Sequence, residues 1–342
     1  METCRYPTLS ISPNGITMYH TWIGKRHGTS NDFEEERKIA ERNKNLRHNS
    51  PAGTLSKKAL KRIEAAIKWM LFLSRDKKIY YRPMAKYVKF KVCFVTLTLA
   101  SKQVHSDQEI KSKLLNQLLT ELRQAYGMEH YVWRAEKQRN GNIHFHILTN
   151  VFIPQESLRA MWNRIQNKLG YVDAYSRFMR ENIKSFSDYY NTFMDTGTYS
   201  QLMQRYIKGR ACNWNNPNST DIHSVKKVKN MAAYLSKYFC KSTQESGAKD
   251  VDKQEENEIK GKIWGLSQSM SELKSIVVGI GSQLSTELNM IYEVMKEKVY
   301  KDKYFTFIRI SFKELIKLKA LNVMKIVYDT VKKYNEKSLQ LC

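Results

Sequence analysis

The run Asn142-Ile143-His144-Phe145-His146-Ile147-Leu148 admits few conformations, because apolar and polar side chains alternate along most of its length. A strand sends successive side chains to opposite faces, so Ile143, Phe145 and Ile147 point into a core while His144 and His146 share the other face. Such a strand belongs to a sheet with one covered and one open face, as antiparallel sheets with helices on one side provide. The two imidazoles are then held side by side on an apolar support, as candidate metal ligands. The plain alternative is a pair of ordinary surface or core histidines.

A third ligand stands just upstream in Trp133-Arg134-Ala135-Glu136-Lys137-Gln138, separated from the histidine run by the turn signal Arg139-Asn140-Gly141. A three-residue loop, with Gly141 in the left-handed region, pairs Gln138 with Asn142 and sets Glu136 opposite His144 on the same face. A two-residue loop puts Glu136 on the opposite face, since a one-residue slip inverts every side chain. Two imidazoles and one carboxylate with open positions suit a divalent ion such as Mg²⁺ or Mn²⁺ at a phosphate oxygen, and equally describe non-haem iron oxygenases.

A second block, Tyr234-Leu235-Ser236-Lys237-Tyr238-Phe239-Cys240-Lys241, begins 88 residues after His146. The stripe Val225, Val228, Ala232, Leu235 and Phe239 predicts a helix over residues 225–241, capped near His223 or Ser224. Tyr234 and Tyr238, four apart, stack one above the other off that stripe, on a side shared with Lys227 and Lys241. A phenol with an ordinary pKa of about 10 is a poor nucleophile unless cations or a metal favour the phenolate, and Lys237 and Lys241 lie within a turn. The bland reading is two tyrosines with buried rings and hydrogen-bonded tips.

The strand Phe94-Val95-Thr96-Leu97-Thr98-Leu99, the His144-Phe145-His146 block and the helix Tyr234-x-x-Lys237-Tyr238-x-x-Lys241, in that order, resemble the three motifs of the HUH endonucleases that initiate rolling-circle replication. The two-tyrosine helix is most similar to the replication initiators of microviruses, small single-stranded DNA phages, and of related plasmids. Gly261-Lys262-Ile263-Trp264-Gly265-Leu266-Ser267 also resembles a segment that follows the tyrosine helix in these proteins, so the likeness spans roughly residues 91–270. It implies a palm-like antiparallel α+β core, with Glu136, His144 and His146 as metal ligands for Mg²⁺ or Mn²⁺. It also implies Tyr234 and Tyr238 as nucleophiles, with Lys237 assisting at the phosphate. The implied activity is nicking of one strand at an origin, leaving a 5′-phosphotyrosine and a free 3′ hydroxyl, followed by rejoining that ends a round of replication. Two-tyrosine transposases and relaxases share this chemistry. A basic nucleic-acid-binding protein without catalysis is the alternative from another class.

Lys and Arg number 58 against 33 Asp and Glu, a formal charge of +25 that fits a phosphate-rich partner, single-stranded or origin DNA. No stretch approaches the roughly 20 apolar residues of a membrane span, and the N-terminus carries no signal-peptide pattern. The five cysteines are scattered without a Cys-x-x-Cys pair, so a reducing cytoplasm, here that of a bacterial host, is the expected setting. There is no Gly-x-x-x-x-Gly-Lys-[Ser/Thr] phosphate loop, so an initiator of this kind depends on a separate host helicase and replication machinery.

The expected organisation is an N-terminal extension with a helix (1–86), an endonuclease domain (87–245) and a C-terminal α/β extension (246–342). Within the core we expect a strand over 87–99, a helix over 107–126, strands over 130–138 and 142–150, a helix over 155–169 and a short strand over 218–225 carrying Asp221 and His223. Residues 171–214 form an aromatic insertion interleaved with cations, either a small satellite core with a solvated basic face or a platform for unpaired bases. On the second reading Arg177, Lys208 and Trp214 join Lys227 and Lys241 as candidate DNA contacts. Beyond the linker over 242–260, the pattern predicts a helix over 285–297, an edge strand over 304–310 and one basic amphipathic helix over 312–333.

Overall fold

The alternating run becomes the central strand of a five-stranded antiparallel sheet. The computed structural model describes residues 4–23, 37, 41, 55–224, 235, 259, 261–273 and 276–336. The strands are β1 (Cys93–Leu97), β2 (Tyr131–Lys137), β3 (Ile143–Thr149), β4 (Thr220–Ser224) and β5 (Trp264–Leu266), in the order β4-β1-β3-β2-β5. Because paired residues share a face, Val95, Leu97, Trp133, Ala135, Ile143, Phe145 and Ile147 form one continuous apolar side. Two helices cover it.

The first, α1, spans 107–126. A capping box between Ser106 and Glu109 starts it, Ile110–Leu115 widen it to a π-helix, and Gly127 in the left-handed conformation ends it. The second, α2 (Gln155–Gln166), presents Leu158, Trp162 and Ile165. These meet Leu114, Leu118 and Leu122 of α1 over the sheet, all fully buried. At roughly 1.5–3 kcal/mol for each large apolar side chain removed from water, this layer dominates the unit's stability. The Trp162 indole donates to the Thr98 carbonyl at 2.7 Å and ties α2 to the end of β1.

The aromatic segment folds as α3 (Tyr171–Asn182), α4 (Phe186–Phe193) and α5 (Tyr199–Ala211) around Met179, Ile183, Tyr189, Leu202 and Trp214. This is the satellite core. Trp214 stacks on Tyr189 at 5.7 Å and lies so close to α5 that a Cβ on Gly209 would fall 1.9 Å from its ring. Glycine is required there by close approach.

Several expected elements differ. The strand predicted over 87–99 is two strands. Its exposed, basic half, Lys86–Phe90, pairs with Lys77–Tyr81 in a separate ribbon, and its apolar half is β1. The strand Phe305–Ile308 is not an edge: it lies between Gly15–Ile23 and Val299–Lys301, which takes the edge instead. The long C-terminal helix is broken into Phe312–Lys317 and Leu321–Glu336. Lys319 adopts φ +49° and the Ala320 amide donates back to the Leu315 carbonyl, a helix stop made without glycine.

The chain divides into two compact units, residues 1–51, 65–74 and 271–340 in one and most of 52–270 in the other. In the former, the hairpin Cys4–Ser12 and Gly15–Ile23 pairs on one side with Ile276–Gly279 and on the other with Phe305–Ile308. Leu9, Ile11, Ile16, Leu288, Ile291, Val323 and Val327 fill its core. Among the described residues no helix is long and apolar enough to cross a membrane.

Candidate metal centre

The β2–β3 hairpin decides whether Glu136 can join the histidines. The Gln138 amide donates to the Asn142 carbonyl at 2.8 Å, the Gly141 amide returns to the Gln138 carbonyl at 2.9 Å, and Gly141 takes φ +82°. The loop therefore has three residues, and Glu136 pairs directly with His144. Side chains anchor the hairpin base. The Asn142 amide group accepts from the Gln103 backbone and donates to the Ser101 carbonyl, both at 2.8 Å, while Lys137 Nζ reaches the Gly141 carbonyl at 3.0 Å and Asp107 at 2.8 Å.

On the face away from the helices, Glu136 Oε2 stands 3.4 Å from His144 Nε2 and 3.5 Å from His146 Nε2. The ligand atoms of all three residues lie within 4.8 Å of one another. These separations are at the long, weak end for hydrogen bonds and close to the roughly 3 Å expected between adjacent ligands of an ion with bonds of about 2.0–2.2 Å. The donor set therefore fits a divalent cation, held by two imidazole nitrogens and one carboxylate oxygen, with positions left over for substrate and water.

The protonation states suit that role. Burial alone would raise the Glu136 carboxyl, but hydrogen bonds from His144 and His146 and the charge of Arg134 outweigh it and hold the group well below the usual carboxylate range. Burial pushes the His146 imidazole below its ordinary value, assisted by the neighbouring His144 and only partly opposed by Glu136. A neutral imidazole beside an ionised carboxylate is the form that binds metal.

Three residues that sequence reasoning did not assign support the group. Thr96 Oγ1 lies 3.2 Å from His146 Nδ1, so a His146 that ligates through Nε2 donates its Nδ1 proton to this hydroxyl. The Phe94 ring lies against His146 at 5.1 Å and against His223 at 5.3 Å. Arg134, buried two residues before Glu136, approaches its other carboxylate oxygen at 3.4 Å. Parity was the available signal, since Phe94 and Thr96 share a face of β1, and Arg134 and Glu136 a face of β2.

The other predicted site residues divide into three groups. Tyr234, Lys237, Tyr238, Lys227 and Lys241 lie outside the described residues, where Leu235, helical and fully buried, is the neighbour that is described. Arg177 and Lys208 are exposed on α3 and α5. Trp214 is a correction: its ring is 3% exposed within the satellite core, so it offers no free face to a base. Asp221 and His223, 3.4 Å apart on the edge strand β4, share the open face, Asp221 pairing with Thr96, but they stand apart from the three-residue group.

Residues 92–243 match the family model of the replication-associated proteins of the ORF2 and gene 2 protein type. That span, under half of the chain, is similar to that family. The matched span opens at β1, contains Glu136, His144 and His146, and extends through Tyr234 and Tyr238. Neither a curated protein nor a solved structure matches the chain.

Proposed function

We propose that this protein is a replication initiator that cuts and rejoins one DNA strand through tyrosine. The observation that carries the reading is the Glu136, His144 and His146 group on the open face of the sheet, inside a span of the replication-associated family that also holds the Tyr234 and Tyr238 block. A bound Mg²⁺ or Mn²⁺ supplies Lewis-acid polarisation of a phosphate oxygen. Glu136 and the two imidazoles hold it, and Thr96 and Phe94 keep the His146 ring in orientation.

The phenolic oxygen of Tyr234 or Tyr238 attacks the phosphorus of a backbone phosphodiester, with Lys237 beside the developing charge. The new bond is tyrosine O–P and the broken bond is P–O3′. The 5′ phosphate stays on the protein, and the 3′ oxygen leaves as a hydroxyl once protonated. Because the phosphotyrosine keeps the reactivity of the diester, a 3′ hydroxyl can later displace the tyrosine and reseal the strand. The second tyrosine permits a second transfer, which closes the displaced circle. Host helicase and polymerase provide unwinding and synthesis.

The test is incubation with a diverse pool of single-stranded DNA, with Mn²⁺ or with chelator, followed by a denaturing gel and peptide mapping. A metal-dependent adduct on Tyr234 or Tyr238, lost in the Tyr→Phe variant, is the expected result. Tight, salt-sensitive binding that never yields an adduct would instead make the protein a binding module and the histidines structural.

A further inference from the structure

Beside the central sheet, where the chain enters β4, lies a cavity of about 430 Å³, within the roughly 300–1,000 Å³ typical of small-ligand sites. Its walls come from α2, α3, α4, α5 and the 214–218 segment. The polar side consists of Arg159, Arg205, Lys208, Asn216 and Asn218, and among the described residues no carboxylate lines it. The three cations carry no ion pair among the described residues. The Nε of Arg159 is buried without a hydrogen-bond acceptor, and Arg205 reaches the Thr196 carbonyl at 3.1 Å. Glu156, one turn before Arg159, feels that charge but spends its carboxylate on the Tyr81 hydroxyl. The apolar side is aromatic, with Tyr175 half-buried and Tyr189 and Trp214 buried in the satellite core, and the Tyr175 hydroxyl makes no hydrogen bond to a described residue.

Three cations without counter-charges select an anion, with arginine suited to phosphate oxygens. Aromatic rims and the two asparagine amides select a planar heterocycle with donors and acceptors on its edge. A nucleotide combines both. The position agrees as well. Thr220, Leu97 and Phe145 lie side by side across β4, β1 and β3, so within the sheet the chain leaving this cavity is two strand spacings, about 10 Å, from the strand whose opposite face carries His144 and His146, and a strand of DNA connecting the two passes the β4 edge. A few consecutive nucleotides span that gap.

We propose that this cavity holds one unpaired nucleotide of a DNA strand of which a phosphodiester a few nucleotides along lies at the Glu136, His144 and His146 group. The phosphate rests on Arg159, Arg205 and Lys208, and the base lies against Tyr175 beside Asn216 and Asn218. This rests on the reading of the protein as a DNA-strand enzyme, and extends it by naming a subsite away from the reacting bond.

Cys212, half-buried in the cavity wall, gives a local readout. The full-length protein, in chelator so that no cleavage occurs, is treated with a thiol-alkylating reagent, and modification of Cys212 is followed by peptide mass spectrometry. The additions are a mixed-sequence single-stranded oligonucleotide, dAMP or inorganic phosphate. The expected result is at least 5-fold slower alkylation with the oligonucleotide and little protection by dAMP or phosphate at the same concentration. The protection is lost in the Arg205→Ala/Lys208→Ala variant, whose exposed substitutions leave the thermal unfolding midpoint unchanged, and is retained in His144→Ala. Equal protection by dAMP would overturn the strand assignment in favour of a free-nucleotide site. Unchanged Cys212 reactivity at an oligonucleotide concentration that saturates binding by anisotropy would overturn the subsite altogether. Adduct formation is not measured, so failure of the tyrosine chemistry and failure of this subsite give different results.

Discussion

The two faces of the central sheet are built from the same strands and do opposite work. On β3, Ile143, Phe145 and Ile147 are completely buried beneath α1 and α2, while His144 between them keeps its ring edge toward Glu136 on the other side. The covered face obtains its stability from apolar area, which tolerates no polar atom without a partner. The other face is itself buried at Phe94, Val132, Arg134 and Leu148, but where it opens at Thr96, Glu136 and His144 it gathers three groups whose mutual separations suit a shared cation better than one another. Such an arrangement is poor at stabilising a fold and good at binding, and strand alternation allows both within seven residues.

Neighbouring substitutions should separate the faces most sharply. His144→Ala is expected to lower the rate of metal-dependent adduct formation about 1,000-fold or more, a loss of roughly 4 kcal/mol in transition-state stabilisation, with a change in folding stability of about 1 kcal/mol or less. Phe145→Ala, one residue on, should cost about 3–5 kcal/mol of unfolding free energy by leaving a cavity against Trp162 and Trp133. Denaturant titration and adduct assays on the two variants check the pair. If His144→Ala unfolds the domain, or leaves adduct formation intact, the division of labour fails.

What could be read from residues alone follows the range of the interactions involved. Alternation along 142–148 and the Arg139-Asn140-Gly141 turn are local; they led to the orientation of the histidines and to two registers for Glu136, of which the hairpin adopts that of the three-residue loop. Pairing partners are not local. Nothing near Phe90 indicates that the chain leaves one sheet for another there, and nothing near Cys4–Ser12 indicates that its sheet neighbour is Ile276–Gly279. The helix stop at Lys319 was hidden because a lysine adopts the left-handed conformation usually filled by glycine. Trp214 looked available because aromatic content says nothing of exposure; its burial depends on Gly209, five residues earlier, giving way to the ring.

Within the open face, the comparison sharpens at Thr96. Thr96→Val keeps the strand and its shape but removes the acceptor at His146 Nδ1. Metal affinity should fall about 10–100-fold, or roughly 1.4–2.7 kcal/mol, while metal-free stability changes far less. Calorimetric titration with Mn²⁺ on both proteins tests this, and an unchanged affinity would reduce Thr96 to a bystander. Affinity should also decline as pH falls through the imidazole range, because protons compete for the nitrogens that ligate. Glu136, held well below the usual carboxylate range, should not contribute to that decline near neutrality.

The smallest effect concerns the turn that joins the faces. Gly141 sits at φ +82°, yet a Cβ there would meet no atom within 4 Å, so alanine brings backbone strain without a clash. Gly141→Ala should therefore cost about 1–2 kcal/mol of stability. The amides of Gln138 and Gly141 still hold the three-residue loop in that variant, so Glu136 stays opposite His144 and metal binding persists. Deleting Asn140 is the informative partner change. A two-residue loop would turn Glu136 to the covered face, and with two imidazoles left the protein should lose metal binding even where it still folds. Equal metal affinity in both variants would mean that Glu136 is not a ligand, and that the hairpin register serves only the apolar face.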